Sequence, residues 1–274
     1  MNTGRSVNTV DLLASIDLPR HEAERLMIAA TGLRRNDVLL GADLTAAQAE
    51  RLDELVLRRS AGEPLQYLEG SVQFGPLELF VDRRVLIPRP ETERLWEIVT
   101  SRLPEAPHVV VDLCTGSGNL ALALKHSWPG ATVYATDEDA GALEVAETNA
   151  RKNGLDVEFL HGDLFEALPD EIREAADVLV ANPPYVAEAD FAGLPADVRD
   201  HEPPAALIGG GDGLEVLRRI AAEATAWLRP GGLIACEIGE SQSAAAAGLF
   251  ARFDAEVLPD LAGRPRFVTG HRPG

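Results

Sequence analysis

The sequence predicts an α/β protein: a doubly wound, mostly parallel sheet, preceded by a small helical domain and a hairpin linker. Three observations carry this. From His108 onward, short and nearly continuous apolar runs alternate with helical stretches, the pattern of strands covered on both faces. Before residue 65, apolar residues recur at helical spacing instead. Between these regions, Gly62 to Glu93 is rich in glycine, proline and aromatics, as expected of a linker that folds into a hairpin.

The first predicted helix spans His21 to Gly32. Ala23, Leu26, Met27 and Ala30 fall at i, i+3, i+4 and i+7, and Gly32 is placed to stop it. A second opens at Thr45, where Thr45 and Gln48 have capping-box spacing. Leu52, Leu55 and Val56 form its stripe and Gly62 its C-terminal cap. Predicted strands are His108 to Leu113, Thr132 to Thr136, Val157 to Leu160, Asp177 to Ala181 and Gly232 to Glu237, with helices at Asp139 to Asn153 and Leu214 to Leu228. The alanine-rich Ser243 to Gly248 is also expected to be helical. The domains then divide at 1–65, 66–94 and 95–274.

A length of 274 residues suits one large domain with a small appendage. The composition, 46% hydrophobic and 25% charged, permits a sizeable core. No apolar run approaches the ~20 residues that span a bilayer, and Asp11 and Asp17 break any signal-peptide core. A cytoplasmic protein with no membrane partner is expected. Cys114 and Cys236 are predicted to be buried free thiols, and no Cys/His cluster has metal-ligand spacing, so no metal is expected. The net charge of −19 disfavours duplex nucleic acid, whose binders must neutralise phosphates.

Chemistry first suggests itself after the first strand, at Asp112-Leu113-Cys114-Thr115-Gly116-Ser117-Gly118-Asn119, which leads into the helical run Leu120 to Lys125. Glycines here let the backbone approach a ligand, and the helix start offers unpaired amides to its anionic group. A nucleotide-like cofactor is one reading and a plain tight turn the other. The next strand ends at Asp137, about twenty residues on, where a carboxylate can accept both hydroxyls of a ribose. There is no Gly-Lys-Ser/Thr for a nucleoside triphosphate, and the turn is looser than a dinucleotide fingerprint.

With Gly162-Asp163-Leu164-Phe165 after the third strand and Leu228-Arg229-Pro230-Gly231-Gly232 before a later one, the order resembles that of class I S-adenosylmethionine methyltransferases, with their Rossmann-like sheet. Cys114 stands where that family often has glycine. The resemblance implies S-adenosylmethionine as cofactor, bordered at its adenine by Asp163 and Leu164, with Asp163 taking the exocyclic amine.

The fourth strand runs into Asn182-Pro183-Pro184-Tyr185, which should face the same crevice beyond the carboxyl ends of the strands. Prolines lack an N–H and push preceding residues into extended conformations, so the loop presents acceptors with few competing donors. An amide or amine nucleophile needs such acceptors. The Asn182 side-chain oxygen and the Pro183 carbonyl are each expected to take one N–H of a substrate nitrogen, and Tyr185 to stack over its plane. No general base stands out; His161 and His201 read as surface or structural residues.

This tetrapeptide serves amides and nucleic-acid bases alike, so other segments must decide. Leu86 to Glu93, Gly62 to Gly70 with Phe74-Gly75, Glu202 to Leu207 with Gly209 to Leu214, and Glu237-Ile238-Gly239 with Gln242 closely resemble the HemK-type (PrmC) release-factor glutamine methyltransferases. The resemblance implies a substrate glutamine in the Gly-Gly-Gln loop of class 1 peptide chain release factors, and amino-terminal helices that contact them. Arg89, Glu91 and Glu93 are expected to brace the active-site mouth or to form surface ion pairs, and Gly209 to Gly213, lacking a lysine, to be a turn. The competing readings are a methyltransferase acting on adenine or another base, which calls for a basic groove that the chain does not display, and a non-catalytic binder, which has no need of the Asn182 to Tyr185 loop.

Overall fold

In a computed structural model, which describes residues 7–103 and 105–274, the chain divides into two compact units. One runs through Ser71 and takes in Pro195–His201; the other comprises Val72–Leu194 and Glu202–Gly274.

The smaller unit is helical, with a two-residue ladder between β1 (Val7–Asn8) and β2 (Asp43–Leu44). Its helices Arg20–Thr31 and Ala46–Ser60 follow the apolar spacing. Leu26, Met27, Leu52 and Leu55 are sealed in one cluster with Leu13 and Val38. The Thr45–Gln48 capping box forms as the spacing predicts, and Gly32 ends the earlier helix in the left-handed region. The later helix is capped at Ala61, whose amide closes the last turn onto Leu57, Arg58 and Arg59, and Gly62 follows at φ 95° as the expected C-terminal glycine. Arg58 and Arg59 then pair with Glu63 and Glu22.

The expected hairpin occupies only part of its predicted span. Its strands are β3 (Ser71–Phe74) and β4 (Leu77–Phe80), while Leu65–Glu69 is a short helix and Pro90 opens another, Pro90–Arg102. Proline suits that first helical position, since its missing N–H would be unpaired there anyway.

The larger unit is built on a seven-stranded sheet. Its parallel strands are β5 (Val109–Leu113), β6 (Thr132–Asp137), β7 (Glu158–His161), β8 (Ala176–Ala181) and β9 (Leu228–Glu237). β10 (Glu256–Pro259) and β11 (Pro265–His271) complete it in antiparallel sense, giving the order β10-β11-β9-β8-β5-β6-β7. Buried runs such as Ala176–Ala181 reflect cover on both faces, one by Leu214, Leu217, Ile220 and Phe250, the other by Leu95, Leu120, Leu124 and Ile98. The order reverses direction between β5 and β8, so the turns that follow these two strands open into one crevice.

The helix predicted over Leu214 to Leu228 is shorter, Glu215–Glu223, followed by a 3₁₀ turn at Ala224–Ala226. Leu228 belongs to β9, where it pairs with Ala176; the register then jumps to Val178 opposite Leu233 around Pro230-Gly231. Burial of Trp227, stacked on Phe165 at 5.8 Å between ring centroids, holds that corner in place of helical hydrogen bonds. Among the described residues, no helix is long and apolar enough to cross a membrane.

Candidate functional site

The turn after β5 is wound around two carboxylates. Asp112, 1% exposed, uses Oδ2 to accept from the Thr115 hydroxyl at 2.6 Å and from the Ala121 amide at 3.1 Å. Asp137, at the end of β6, accepts from the Gly116 amide at 2.8 Å with one oxygen and from the Asp139 amide at 3.0 Å with the other. Each carboxylate oxygen keeps a further lone pair, so the capacity of Asp137 is half used. Cys114 lies in the left-handed region at φ 57°, a conformation that costs a residue with a Cβ roughly 1–2 kcal/mol. It is a partly exposed free thiol rather than a fully buried one, because this turn carries it to the cavity wall; Cys236 is buried.

The cavity has about 1040 Å³ of empty space, open solvent included. Of the predicted site residues, its wall includes Asp112, Cys114, Thr115, Gly116 and Ser117 from the first turn. Asp137, Asp163, Leu164, Asn182 and Pro184 complete the shared lining. Gly118, Pro183 and Tyr185 lie off the wall. Gly118 is the N-cap of helix Asn119–Ser127, and Pro183 is buried. Three polar atoms around this one cavity, Asp112 Oδ1, Ser117 Oγ and Thr136 Oγ1, are buried without a hydrogen-bond partner. Such atoms are costly to leave unmatched, and all three belong to residues of the cavity wall. Burial pushes the Asp112 carboxyl up to about 7, against the pull of Thr115 and the Ala121 amide, and burial likewise raises Asp137.

Asp163 accepts from Arg219 at 2.8 Å, and both residues face the cavity. Sequence patterning gave no signal for Arg219, which comes from a helix far along the chain. Nor did it single out Asn149, whose fully buried amide bonds the Phe80 amide and carbonyl and the Ser117 carbonyl, tying the hairpin to the glycine turn.

On the far side, the Asn182-Pro183-Pro184-Tyr185 loop is clasped from three directions. The Asn182 side-chain nitrogen donates to the Thr92 hydroxyl at 3.3 Å, and that hydroxyl donates to Glu237 at 2.8 Å. Gln242 donates to the carbonyls of Tyr185 and Gly213, both at 3.0 Å, while its oxygen accepts from the Gly239 amide. The glycine run is a turn packed against this loop: a Cβ at Gly209 would sit 2.3 Å from the Pro184 carbonyl oxygen, and one at Gly213 2.4 Å from that of Tyr185. Only glycine permits such an approach. Arg89 pairs with the buried Glu202, and Pro88 and Pro203, their neighbours, line the cavity mouth. Glu91 meets Arg264 at 3.5 Å.

Burial pushes the Tyr185 hydroxyl up to about 12 and the Glu237 carboxyl up to about 7. His161 bonds the Glu138 carbonyl, and neither it nor His201 lines the cavity. Among the described residues, no group of three or more His, Cys, Asp or Glu side chains gathers as a metal site.

Two family models match the chain: a methyltransferase small domain over residues 95–194 and a PrmC N-terminal domain over residues 9–70. The release factor glutamine methyltransferase of Moorella thermoacetica is 46% identical, covering 94% of this chain and 93% of its own. That of Mycolicibacterium smegmatis is 42% identical, covering 94% and 92%. Among solved structures, a methyltransferase from Pyrococcus furiosus superposes with a TM-score of 0.53 at 16% identity, covering 81% of this chain and 98% of its own. A 16S rRNA methyltransferase of T. thermophilus, in complex with AdoMet and guanosine, gives 0.53 at 23% identity over 74% of this chain and 49% of its own. These structural likenesses concern the fold.

Proposed function

This chain belongs to the family of release factor glutamine methyltransferases, and we propose that it transfers a methyl group from S-adenosylmethionine to the side-chain amide nitrogen of the glutamine in the Gly-Gly-Gln loop of class 1 release factors. The observation that carries the reading is that Asn182 and Pro184 share a cavity with the Gly116 turn and Asp137.

The lining fits the cofactor. The spare lone pairs of Asp137 suit a ribose diol, the unpartnered Asp112 Oδ1 suits an ammonium group, and Asp163 with Leu164 suits an adenine edge. When bound, S-adenosylmethionine supplies an electrophilic methyl group. The chain's own part is to hold the nucleophile. An amide nitrogen is weakly nucleophilic because its lone pair is delocalised into the carbonyl. Asn182 Oδ1 and the Pro183 carbonyl each accept a hydrogen bond from one of its N–H groups, fixing the nitrogen's position and favouring pyramidalisation; as the N–C bond forms the S–C bond of the methyl donor would break, and the nitrogen releases one proton to solvent. Tyr185, off the cavity wall, reaches the amide plane only by turning inward from the loop whose carbonyl Gln242 holds, and there it would stack and exclude water. Rate comes chiefly from orientation. We assign the release-factor contact to the amino-terminal helical domain, residues 1–65.

The test is to incubate the protein and labelled S-adenosylmethionine with a class 1 release factor and, separately, with nucleic acid. Label on the release factor is expected; label on nucleic acid alone would refute the reading.

A further inference from the structure

An asparagine amide has two ends of opposite character, and only its oxygen can accept an N–H from a substrate. Something must decide which end faces the cavity. The Thr92 hydroxyl has one proton and donates it to Glu237 Oε2 at 2.8 Å. Its oxygen can then only accept, and what it accepts is the Asn182 side-chain nitrogen at 3.3 Å. The opposite end of the amide, Oδ1, is thereby left to the cavity that Asn182 lines.

We propose that Glu237, acting through Thr92, is the positioning residue that turns the Asn182 oxygen toward the substrate nitrogen. The proposal rests on the assignment of Asn182 as substrate acceptor. Thr92 is fully buried and Glu237 is 2% exposed, so water does not compete for either bond. Thr92 is supplied by helix Pro90–Arg102, Glu237 by the end of β9 and Asn182 by the loop after β8. Three separate elements therefore fix one rotamer.

The relay depends on the charge of Glu237. As a carboxylate it accepts from Thr92. Once protonated it can donate to the Thr92 oxygen, which releases the hydroxyl hydrogen and lets either end of Asn182 turn inward. The groups facing Glu237 are Thr92 and Glu91 from the helix, Arg266 from β11 and Tyr185 from the catalytic loop. Arg266 favours the charged form and Glu91 opposes it, while Tyr185 adds a hydrogen bond to the carboxylate. With burial dominant, the carboxyl is pushed up to about 7, which places the switch within a workable pH range.

The experiment compares wild type with Thr92→Val, Thr92→Ser and Glu237→Gln, using a class 1 release factor and S-adenosylmethionine. Wild-type transfer is the control: if it is absent, the functional reading fails before the relay is tested. Given transfer, Thr92→Val should lower kcat by about tenfold or more, as expected when an acceptor loses its fixed orientation. Cofactor Kd, read by calorimetry, should stay within about twofold, below the ~1.4 kcal/mol that a tenfold change represents. Thr92→Ser, which keeps the hydroxyl, should recover most of the rate. Wild-type kcat should fall as pH drops through about 7, and this acidic limb should vanish in Thr92→Val and Glu237→Gln. In cofactor-free protein, the side-chain amide NMR signals of Asn182 should shift with the same midpoint, and in Thr92→Val they should not. Unchanged kcat in Thr92→Val, or no pH response of the Asn182 signals in wild type, would overturn the relay. If Thr92→Val unfolds, Glu237→Gln and the wild-type NMR titration decide alone.

Discussion

The two loops that face each other across the cavity are opposites in both polarity and support. The turn after β5 is braced by hydrogen bonds to residues close in sequence: Thr115 and Ala121 to Asp112, three and nine positions away, and Gly116 to Asp137, twenty-one away. The loop after β8 is braced from far off: Gln242 to Tyr185 across 57 residues, Asn182 to Thr92 across 90, and Thr92 to Glu237 across 145. One loop offers charged acceptors and backbone N–H groups, the other neutral amide and carbonyl acceptors. The first turn is thus held largely within one βαβ stretch, with Asn149 reaching its Ser117 carbonyl from 32 residues away, whereas the supports of the second loop come from across the sheet.

The largest effect expected from this division is at Asn182. Asn182→Ala should lower kcat by about 10²–10³-fold, comparable to removing one preorganised hydrogen-bonding group from an active site, with cofactor affinity little changed. Asp137→Ala should do the reverse, weakening cofactor binding by ~1–3 kcal/mol in calorimetry while leaving kcat at saturating cofactor far less affected. If Asp137→Ala acted mainly on kcat, the division would break. Gln242→Ala sharpens the comparison from the long-range side. It strands the Tyr185 and Gly213 carbonyls, which should cost ~1–3 kcal/mol of stability by denaturant melt and slow turnover without loosening the cofactor.

Two smaller effects probe the local side. Asp112 has its folded pKa pushed up to about 7 from 3.8, so its contribution to stability is full below pH 3.8 and is lost as pH rises through about 7. Asp112→Asn should therefore raise Tm relative to wild type at pH 8 more than at pH 5; an equal change at both would show that the buried carboxyl is not the cause. Cys114→Gly relieves the left-handed turn at φ 57°. Because glycine also loses more entropy on folding, the net gain in stability should be at most about 1 kcal/mol.

The same contrast explains what could be read from the chain. The sheet and the smaller unit's main helices were legible because alternation and helical spacing are local, and so were Asp112, Gly116 and Asp137, whose motif is compact. The Asn182 to Tyr185 loop is legible as a tetrapeptide, but its supports are not: Thr92, Gln242 and Glu237 appear in sequence only as members of resembling segments, Glu237 also as the last residue of a strand. Arg219 and Asn149 had no signal at all, since a buried or wall-lining polar residue on a helix looks like any other until the sheet order brings it to the site. The strand assignment of Leu228 has the same origin, with pairing to Ala176 overriding a helical run. The hairpin is narrower than its predicted span because composition marks a linker without marking where its strands begin.

The site of methylation is read most directly by fragmenting a class 1 release factor in the mass spectrometer after turnover and locating the added methyl group to the residue and atom. The methyl group is expected on the side-chain amide nitrogen of the glutamine in the Gly-Gly-Gln loop, with that product absent when Asn182→Ala replaces the wild-type protein. A methyl group on another atom of the release factor, or equal product from Asn182→Ala, would contradict the proposed function.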